Sequence, residues 1–425
     1  MARGGKMSNR VSIYSEIGSL EKVIIHSPGF EVEEMTPRTA AQVLYNDILP
    51  LPVIAQDHRE LKEILKLVTK VYEVKDLLED VLQNSAVKTE FVNTVTRLFP
   101  ALKRRRDEFT GMSAGELAAG VIVGIREKKD SLARFLSENI FALPPLPNLY
   151  FMRDSAIVVG DKVITGSMAN KVRIMEAIIA TFIYRYHPQF KSEGFIFDGT
   201  EEGKEGLVTV EGGDLLVLKD NVLAIGISER TTAQSIDLII NNICRDINSP
   251  FTIFAVVLPR ERATIHLDMV FTMIDRDHCV IHEPYILGNG RLPVVKITLD
   301  SNGKKKFEYV ENLLAGLKTV GLDLKPVSCG GDNPLYQERE QWLSGTNFFA
   351  FAPGKFIGYD CNTKTLEALE KEGYTVKHAR EFLSGQARIE EYKKLAIGID
   401  GAELARGGGG VRCMTMPAKR KPVSW

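Results

Sequence analysis

The chain has 425 residues, 44% of them hydrophobic, and its 54 basic and 55 acidic side chains give a formal net charge of −1. This composition provides for a sizeable core, and the balanced charge argues against a general nucleic-acid or membrane-surface binder, which normally carries a basic excess. Five cysteines without CxxC spacing argue against disulfides and zinc sites.

Targeting and membrane segments are not evident in the sequence. The longest apolar stretches fall short of the ~20 residues of a membrane span, and the first residues contain no hydrophobic signal core. Residues 1–6 resemble a polar leader. We therefore expect a cytoplasmic protein.

The N-terminal part, residues 7–74, predicts one α/β module with an apolar run at residues 20–25 and a helix-like segment at residues 59–71. Residues 75–139 break this pattern, because their apolar residues recur at helical spacing with charges between them. We interpret residues 75–139 as an inserted helical bundle, which could cover a flank of the core, contact another subunit or serve catalysis.

Residues 140–425 contain four strand–turn–strand signals. Their turns lie at Gly160-Asp161, at Asp220-Asn221, at residues 275–277 and at Pro353-Gly354. Short Asp/Asn/Gly turns between β-branched runs are typical of hairpins. Amphipathic helices are predicted at residues 171–186, 231–242 and 363–372. One repeated α/β unit explains this better than several unrelated domains.

Cys413 is a candidate nucleophile because it lies shortly after four consecutive glycines, with Arg406 before the glycines and Arg412 directly before the cysteine. Backbone without side chains allows a substrate to approach closely, and nearby arginines are expected to favour the thiolate. The other four cysteines are expected to be buried structural thiols, and His278 and His282 are assigned no chemistry.

Further catalytic side chains precede other strand-like runs. His266 and Asp268 lie two residues apart, so a strand would place both on one face. Asp154, Glu211 and Asp214 add carboxylates. A single histidine can protonate a leaving group and then activate water for a cysteine nucleophile.

The number of carboxylates indicates the charge of the substrate. Carboxylates near a thiolate raise its pKa, so such a site requires a cation. A guanidinium fits, because it is planar and donates paired hydrogen bonds to carboxylates. Arg173, Arg230 and Arg406 could hold a carboxylate at the other end of the same ligand, which would then be an α-amino acid.

At these residues the chain resembles the arginine deiminase family of the guanidine-modifying (pentein) superfamily. Six motifs carry the resemblance in order: SEIGSLEKVIIHSPG at residues 15–29, FMRD at 151–154, EGGD at 211–214, SERTT at 228–232, HLD at 266–268 and RGGGGVRCMTMP at 406–417. It implies a five-module propeller of ββαβ units with a helical bundle inserted after the first module. It also implies hydrolysis of free L-arginine to L-citrulline and ammonia without metal or organic cofactor, commonly by a homo-oligomer such as a dimer or tetramer.

The resemblance also implies residue roles. Cys413 would be the nucleophile, forming a thiouronium intermediate, and His266 the proton shuttle with Glu211 beside it. Asp154 and Asp268 would bind the guanidinium. The remaining substrate-binding residues would be Asn148, Phe151, Arg173, Arg230 and Arg406, with Asp214 serving either the local turn or the amino end of the ligand. Residues 45–48 resemble a loop at the site entrance.

Other functions remain open at this point. An amidinotransferase would use the same cysteine and histidine but pass the amidino group to an amine, and a deiminase of agmatine or peptidyl arginine would not need a carboxylate clamp. A catalytically silent binding protein on the same fold would usually lack the nucleophile or the shuttle. A papain-like protease has no use for several carboxylates around its thiol.

Overall fold

The computed structural model describes residues 10–45, 47–138, 140–203, 207–246 and 249–425, so the leader predicted at residues 1–6 lies outside the described residues. The strands are β1 (Leu20–Ile25), β2 (Lys70–Glu73), β3 (Ile125–Arg126), β4 (Phe141–Leu143), β5 (Ala156–Val159), β6 (Lys162–Thr165), β7 (Phe195–Phe197), β8 (Leu215–Lys219), β9 (Val222–Ile227), β10 (Phe251–Val257), β11 (Phe271–Met273), β12 (His278–Ile281), β13 (Val294–Leu299), β14 (Lys305–Val310), β15 (Lys325–Ser328), β16 (Phe349–Ala352), β17 (Lys355–Tyr359), β18 (Thr375–His378), β19 (Leu395–Ile399) and β20 (Met416–Arg420). The helices are α1 (Phe30–Glu33), α2 (Leu51–Val68), α3 (Val74–Leu82), α4 (Ser85–Leu98), α5 (Arg106–Gly111), α6 (Ala114–Val123), α7 (Leu132–Leu136), α8 (Ile174–Tyr186), α9 (Gly199–Glu202), α10 (Ala233–Asp246), α11 (Glu283–Ile286), α12 (Leu313–Lys318), α13 (Pro334–Trp342), α14 (Thr363–Lys371), α15 (Ala379–Leu383) and α16 (Ala402–Arg406).

Five sheets share one strand pattern, in which a central strand pairs antiparallel with one neighbour and parallel with the other. The central strands are β1, β6, β9, β12 and β17. The last strand of the chain, β20, completes the first sheet by pairing with β1. This repeated α/β unit confirms the predicted fold class, and the four predicted hairpins correspond to β5–β6, β8–β9, β11–β12 and β16–β17.

Local sequence explains where these elements begin and end. The β5–β6 turn contains Gly160 at φ 62° and the β16–β17 turn contains Gly354 at φ 72°, a region that favours glycine. Helix α2 buries Ile54, Leu61 and Leu65 at helical spacing. The helix predicted at residues 59–71 is displaced, because α2 ends at Val68 and β2 follows from Lys70.

Helices α3 and α4 pack against α8, while α5 packs against α4 and α6 against α3, and the buried side chains of all five belong to one apolar cluster. The rings of Phe91 in α4 and Phe182 in α8 meet edge to face with their centroids 5.0 Å apart. The helices between β2 and β3 agree in type with the predicted insertion at residues 75–139. The division into segments 7–74, 75–139 and 140–425 stays a prediction.

Short 3-10 turns precede the first strand of three hairpins. They span Met152–Ser155 before β5, Gly212–Asp214 before β8 and Leu267–Met269 before β11, and the second turn contacts both of the others. The expectation that His266 and Asp268 share one face of a strand is therefore wrong, since β11 begins only at Phe271. Through these turns, residues that are remote in sequence meet.

Among the described residues, no helix has both the length and the apolarity needed to cross a bilayer.

Candidate active site

A cavity of about 300 Å³ opens beside these turns and brings most of the predicted site residues together. The predicted residues that line it are Asn148, Phe151, Asp154, Arg173, Arg230, His266 and Cys413. Two further predicted residues contact this set from behind: Glu211 bonds to His266, and Asp268 lies against Cys413. Glu229 and Arg262 also line the cavity but were not singled out in the sequence.

The Cys413 thiol is almost fully buried and lies 3.9 Å from Asp268 Oδ2. Burial raises the pKa of the Cys413 thiol well above its ordinary value, and the charges of Asp268 and Asp154 raise it further. The charge of Arg412 lowers the pKa of the thiol as expected, but burial and the carboxylates together raise it by more. The Arg412 guanidinium donates hydrogen bonds to Asp268 Oδ2 at 2.7 Å and to the carboxylate of Glu16. These two carboxylates therefore neutralise most of its charge.

The glycine run allows the backbone to pass close to the site. Gly408 has φ 93°, in the left-handed region. A Cβ on Gly409 would lie 2.5 Å from Cε1 of Phe151 and 3.1 Å from Cβ of Cys413. The chain can therefore wrap against Phe151 and present Cys413 only because residue 409 has no side chain.

His266 lies in a pocket of acids. Its Nε2 is 3.1 Å from Glu211 Oε2, and its Nδ1 is 3.5 Å from Asp154 Oδ1. Burial alone would lower the pKa of His266, but these carboxylates and Asp214 raise it to about 9. Burial works against ionisation of Glu211 too, yet the His266 bond and the nearby arginines hold the pKa of Glu211 at about 2.

Asp154, Glu211 and His266 also present a possible set of metal ligands, with donor atoms within 4.8 Å of one another. A histidine ligand must offer an unprotonated nitrogen. The carboxylates around His266 raise its pKa and so favour the protonated imidazole, from which a metal would have to displace a proton. We therefore interpret these three side chains as a cluster for proton transfer rather than as a metal site.

In the carboxylates of both Asp154 and Asp268, one oxygen accepts a hydrogen bond and the other does not. Asp154 Oδ2 accepts from Arg173 at 2.6 Å, and Asp268 Oδ2 accepts from Arg412 at 2.7 Å. The Oδ1 atoms of both carboxylates are buried and have no hydrogen-bond partner among the described residues, and the nearest charged group to Asp154 Oδ1 that the structure shows is His266 Nδ1, at 3.5 Å. An unsatisfied buried acceptor costs about 1–3 kcal/mol, so two of them beside one thiol indicate a site for a ligand with paired donors.

Two predicted residues do not reach the cavity. Asp214 is fully buried, and its carboxylate accepts hydrogen bonds from Ser228 Oγ at 2.6 Å and from the backbone N–H of Leu267 at 2.9 Å, so it holds the turns together. Arg406 is 43% exposed and pairs with Asp47 and Glu403. It lines a smaller neighbouring pocket of about 170 Å³.

Other predictions concern the surroundings of the cavity. Tyr45, from the loop predicted at residues 45–48, lines the cavity and donates a hydrogen bond to the carbonyl of Pro147 at 2.9 Å, while Asn46 lies outside the described residues. His278 and His282 do not line the cavity. Asn148 is fixed by donating to the carbonyl of Val43 at 2.8 Å.

Comparison with known proteins places the chain among enzymes acting on arginine. The family model described as arginine deiminase matches residues 41–420. The arginine deiminase of Oenococcus oeni is 32% identical over 430 residues, covering 97% of this chain and 98% of that protein. That of Lactococcus lactis subsp. cremoris is 32% identical over 441 residues, covering 98% of this chain and 100% of that protein.

Solved structures agree on the fold. SxtG, an amidinotransferase from Microseira wollei, superimposes with a TM-score of 0.54 at 14% identity, covering 97% of this chain and 98% of that one. The substrate-bound N-terminal domain of ArgZ, a cyanobacterial arginine dihydrolase, gives a TM-score of 0.51 at 11% identity, covering 94% and 98%. At these identities the likeness shows the fold alone, which is the pentein fold that was predicted.

Proposed function

This chain belongs to the arginine deiminase family, hydrolases of the arginine guanidino group, and we propose that its cavity converts free L-arginine and water to L-citrulline and ammonia. The observation that carries the proposal is the pair of buried, unbonded oxygens, Asp154 Oδ1 and Asp268 Oδ1. A guanidinium carries several N–H donors and can supply hydrogen bonds to two carboxylates at once. Its charge also compensates the carboxylates that hold the Cys413 thiol protonated.

The first half-reaction begins when the cation enters. Its positive charge lowers the pKa of the Cys413 thiol, whose proton leaves to water, and the sulfur attacks the guanidinium carbon to form a C–S bond. The imidazolium of His266 then protonates one nitrogen of the tetrahedral adduct. The C–N bond breaks, ammonia departs, and a positively charged thiouronium remains on Cys413.

The second half-reaction consumes water. Neutral His266 accepts a proton as the water oxygen bonds to the thiouronium carbon. The new adduct loses its hydroxyl proton to solvent, the C–S bond breaks, and the ureido group of citrulline forms. Sulfur then regains its proton, so the net reaction of the arginine cation and water yields neutral citrulline and ammonium. General acid–base catalysis of this kind contributes roughly 100- to 10,000-fold in rate.

The remaining cavity residues position the substrate. Glu211 keeps His266 charged and oriented through its hydrogen bond. Arg173 donates to Asp154, to Glu176 and to the carbonyl of Phe151, so its main task is to orient Asp154 and the wall of the cavity. Arg230 lies 3.7 Å from Glu211 and, with Asn148, faces the cavity where the amino-acid end of the substrate would lie.

The test is to incubate the purified chain with L-arginine and to measure citrulline and ammonia, which we expect in equal amounts. Cys413→Ala should release neither while still binding arginine. Added amines should form no amidino product, and agmatine should be a poorer substrate than arginine. Product transfer to an amine would indicate an amidinotransferase, a preference for agmatine would indicate a different deiminase, and binding without turnover by the unaltered chain would indicate a silent binding protein.

We also propose that the enzyme works in the cytoplasm, without metal or organic cofactor, and as a homo-oligomer. Turnover after exhaustive treatment with a chelator tests the cofactor expectation, because a required ion would be lost. Sedimentation velocity tests the assembly, since a single species at the chain mass of 47.3 kDa would contradict it.

A further inference from the structure

Two buried arginines, Arg173 and Arg412, hold the two aspartates near the Cys413 thiol in the same way. Nη1 of Arg173 donates to Asp154 Oδ2 at 2.6 Å, and Nη1 of Arg412 donates to Asp268 Oδ2 at 2.7 Å. In both aspartates Oδ1 has no hydrogen-bond partner within the described part of the chain. Each arginine therefore binds one carboxylate oxygen and leaves the other without a hydrogen bond.

The remaining donors of Arg412 are bound elsewhere, and this explains its one-sided contact with Asp268. Arginine and a carboxylate frequently pair through both oxygens, because the planar fork of N–H groups matches the carboxylate. Here Nε of Arg412 donates to Glu16 Oε2 at 3.1 Å, and Nη2 donates to Glu16 Oε1 at 3.1 Å and to the carbonyl of Leu215 at 2.9 Å. The two-sided pair thus forms with Glu16, and only Nη1 is directed to Asp268.

The same arrangement occurs at Arg173, where Glu176 takes the place of Glu16. Nε and Nη2 of Arg173 donate to the Glu176 carboxylate at 3.1 and 2.7 Å, and Nη2 also donates to the carbonyl of Phe151 at 3.4 Å. Two glutamate–arginine–aspartate chains therefore reach the site, and each ends in one unbonded carboxylate oxygen. Because the two chains use different residues, the repetition indicates that the unbonded oxygens are a specific feature of the site.

Glu16 is fixed in position and keeps its charge. The backbone N–H of Val217 donates to Glu16 Oε1 at 3.1 Å, which holds the buried carboxylate against β8. Burial would raise the pKa of Glu16, but the charges of Arg412 and two further buried arginines lower it to about 2. At Glu176 burial raises the pKa to about 7, although Arg173 opposes this. Glu16 is therefore the glutamate that stays ionised throughout the neutral range.

We propose that Glu16 is a positioning residue for the substrate guanidinium: it holds Arg412 on Oδ2 of Asp268 and so keeps Oδ1 free to accept a hydrogen bond from the substrate. The inference rests on the proposed function, which supplies a guanidinium at Asp154 and Asp268. Glu16 does not line the cavity, so it acts through Arg412. An Arg412 released from Glu16 would turn its free donors to Asp268 Oδ1, the unbonded oxygen of the carboxylate that it already holds.

Glu16→Gln tests this step in a Cys413→Ala background, where calorimetry measures L-arginine binding without turnover. Glutamine keeps the size of the side chain and removes the charge that holds Arg412. The dissociation constant for L-arginine should rise about 10- to 100-fold, as for the loss of one charge-assisted hydrogen bond. An unchanged dissociation constant would overturn the proposal.

A second substitution shows whether Glu16 acts through the aspartate. With Asp268→Asn in the same background, the carboxylate that Arg412 would cover is already lost. Glu16→Gln should then change the dissociation constant by no more than about 2-fold, because effects that pass through one shared group do not add. Equal factors with Asp268 and with Asp268→Asn would mean that the two residues act independently, which contradicts the proposal.

The kinetics of the chain with Cys413 intact distinguish a positioning role from a general loss of order. Glu16→Gln should raise KM for L-arginine and lower kcat by a much smaller factor, since Glu16 contacts neither the thiol nor His266. A displaced site would lower kcat instead, because a shift of about 1 Å can cost about 100-fold in rate. A loss confined to kcat would therefore count against the proposal.

The matched control is Glu340→Gln. Glu340 is a similarly buried glutamate that accepts hydrogen bonds from the backbone N–H groups of Lys364 and Thr365, and it does not line the cavity. Its substitution should lower stability and leave KM unchanged, and a rise in KM like that of Glu16→Gln would contradict the proposal. Absence of citrulline release by the unaltered chain would contradict the proposed function, whereas normal release with an unchanged KM in Glu16→Gln would contradict this inference alone.

Discussion

At the scale of single residues, the site combines a buried thiol with acids that oppose its ionisation. Asp268 lies 3.9 Å from Cys413 Sγ, and Asp154 lines the same cavity. Burial is the largest cause of the raised pKa of the thiol, and the charges of these two carboxylates raise it further. In a free enzyme this arrangement protects the sulfur, because thiols react as thiolates. In the proposed mechanism, the cationic substrate supplies the charge that lowers the pKa of the thiol, so reactivity would be coupled to the binding of a cation.

His266 and Glu211 provide a direct check on the electrostatics. Glu211→Gln removes a hydrogen-bonded charge that helps to raise the pKa of His266 to about 9, so the pKa of His266 should fall. The imidazole would then lose its proton at a lower pH, and ammonia release would slow at alkaline pH. Titration of the His266 ring signals by NMR measures this, with His266→Gln identifying the signals. An unchanged pKa would remove Glu211 from the proposed role.

Sequence reasoning reached the residue types of the site but not every position. Cys413, His266 and Asp154 belong to short motifs that predicted a shared site, and the structure places all three around one cavity. Arg406 was chosen because it adjoins the glycine run, yet adjacency does not fix direction, and its side chain turns to Asp47. Arg262 lies four residues before His266, and only the fold brings it beside Gly408.

At the scale of elements, the glycine loop and the short 3-10 turns place the chemistry. Hairpin turns such as Pro353-Gly354 were predictable, because turn residues act locally. The 3-10 turn at Leu267–Met269 was not, since its apolar residues continue the pattern of a strand. It is held by a tertiary contact, the hydrogen bond from the backbone of Leu267 to the buried Asp214 carboxylate, that no local pattern encodes.

Gly409→Ala tests the loop. The added Cβ would lie 2.5 Å from Phe151 and 3.1 Å from the Cβ of Cys413, so the loop must shift. A displacement of about 1 Å can cost about 100-fold in rate, and we expect a loss of this order in kcat with the far-UV circular dichroism unchanged. Gly111→Ala is the control, because no atom lies within 4 Å of its added Cβ. Full activity of Gly409→Ala would show that the loop accommodates a Cβ at residue 409 without moving Cys413, which contradicts the prediction.

At the scale of the whole molecule, the C-terminal segment completes the first sheet and carries Cys413, the proposed nucleophile. Strand β20 begins at Met416, three residues after Cys413, and pairs with β1. Met416 is fully buried, and Arg420 donates to the carbonyl of Gly18 at 2.7 Å. The position of the thiol therefore depends on contacts between the two ends of the chain.

Met416→Ala should destabilise this closure. Truncating a buried methionine costs about 2–5 kcal/mol, so the urea midpoint should fall, and activity should be lost at lower urea than in the unaltered chain. Lys421→Ala, at an exposed position just beyond β20, should leave the midpoint in place. If Met416→Ala keeps its activity up to the same urea concentration as Lys421→Ala, the pairing of β20 with β1 does not determine the position of the thiol.

The ionisation of Cys413 tests the central claim most directly. The absorbance at 240 nm, taken as the difference between the chain and Cys413→Ser, gives the thiol pKa with and without ligand. L-lysine carries a cation at the end of its side chain, and L-norleucine is its uncharged counterpart. We expect a pKa above the ordinary ~8.5 in the free chain, a lower pKa with L-lysine, and no change with L-norleucine. The account would be contradicted by a thiol pKa at or below ~8.5 without ligand, or by a thiol pKa that does not change when L-lysine binds.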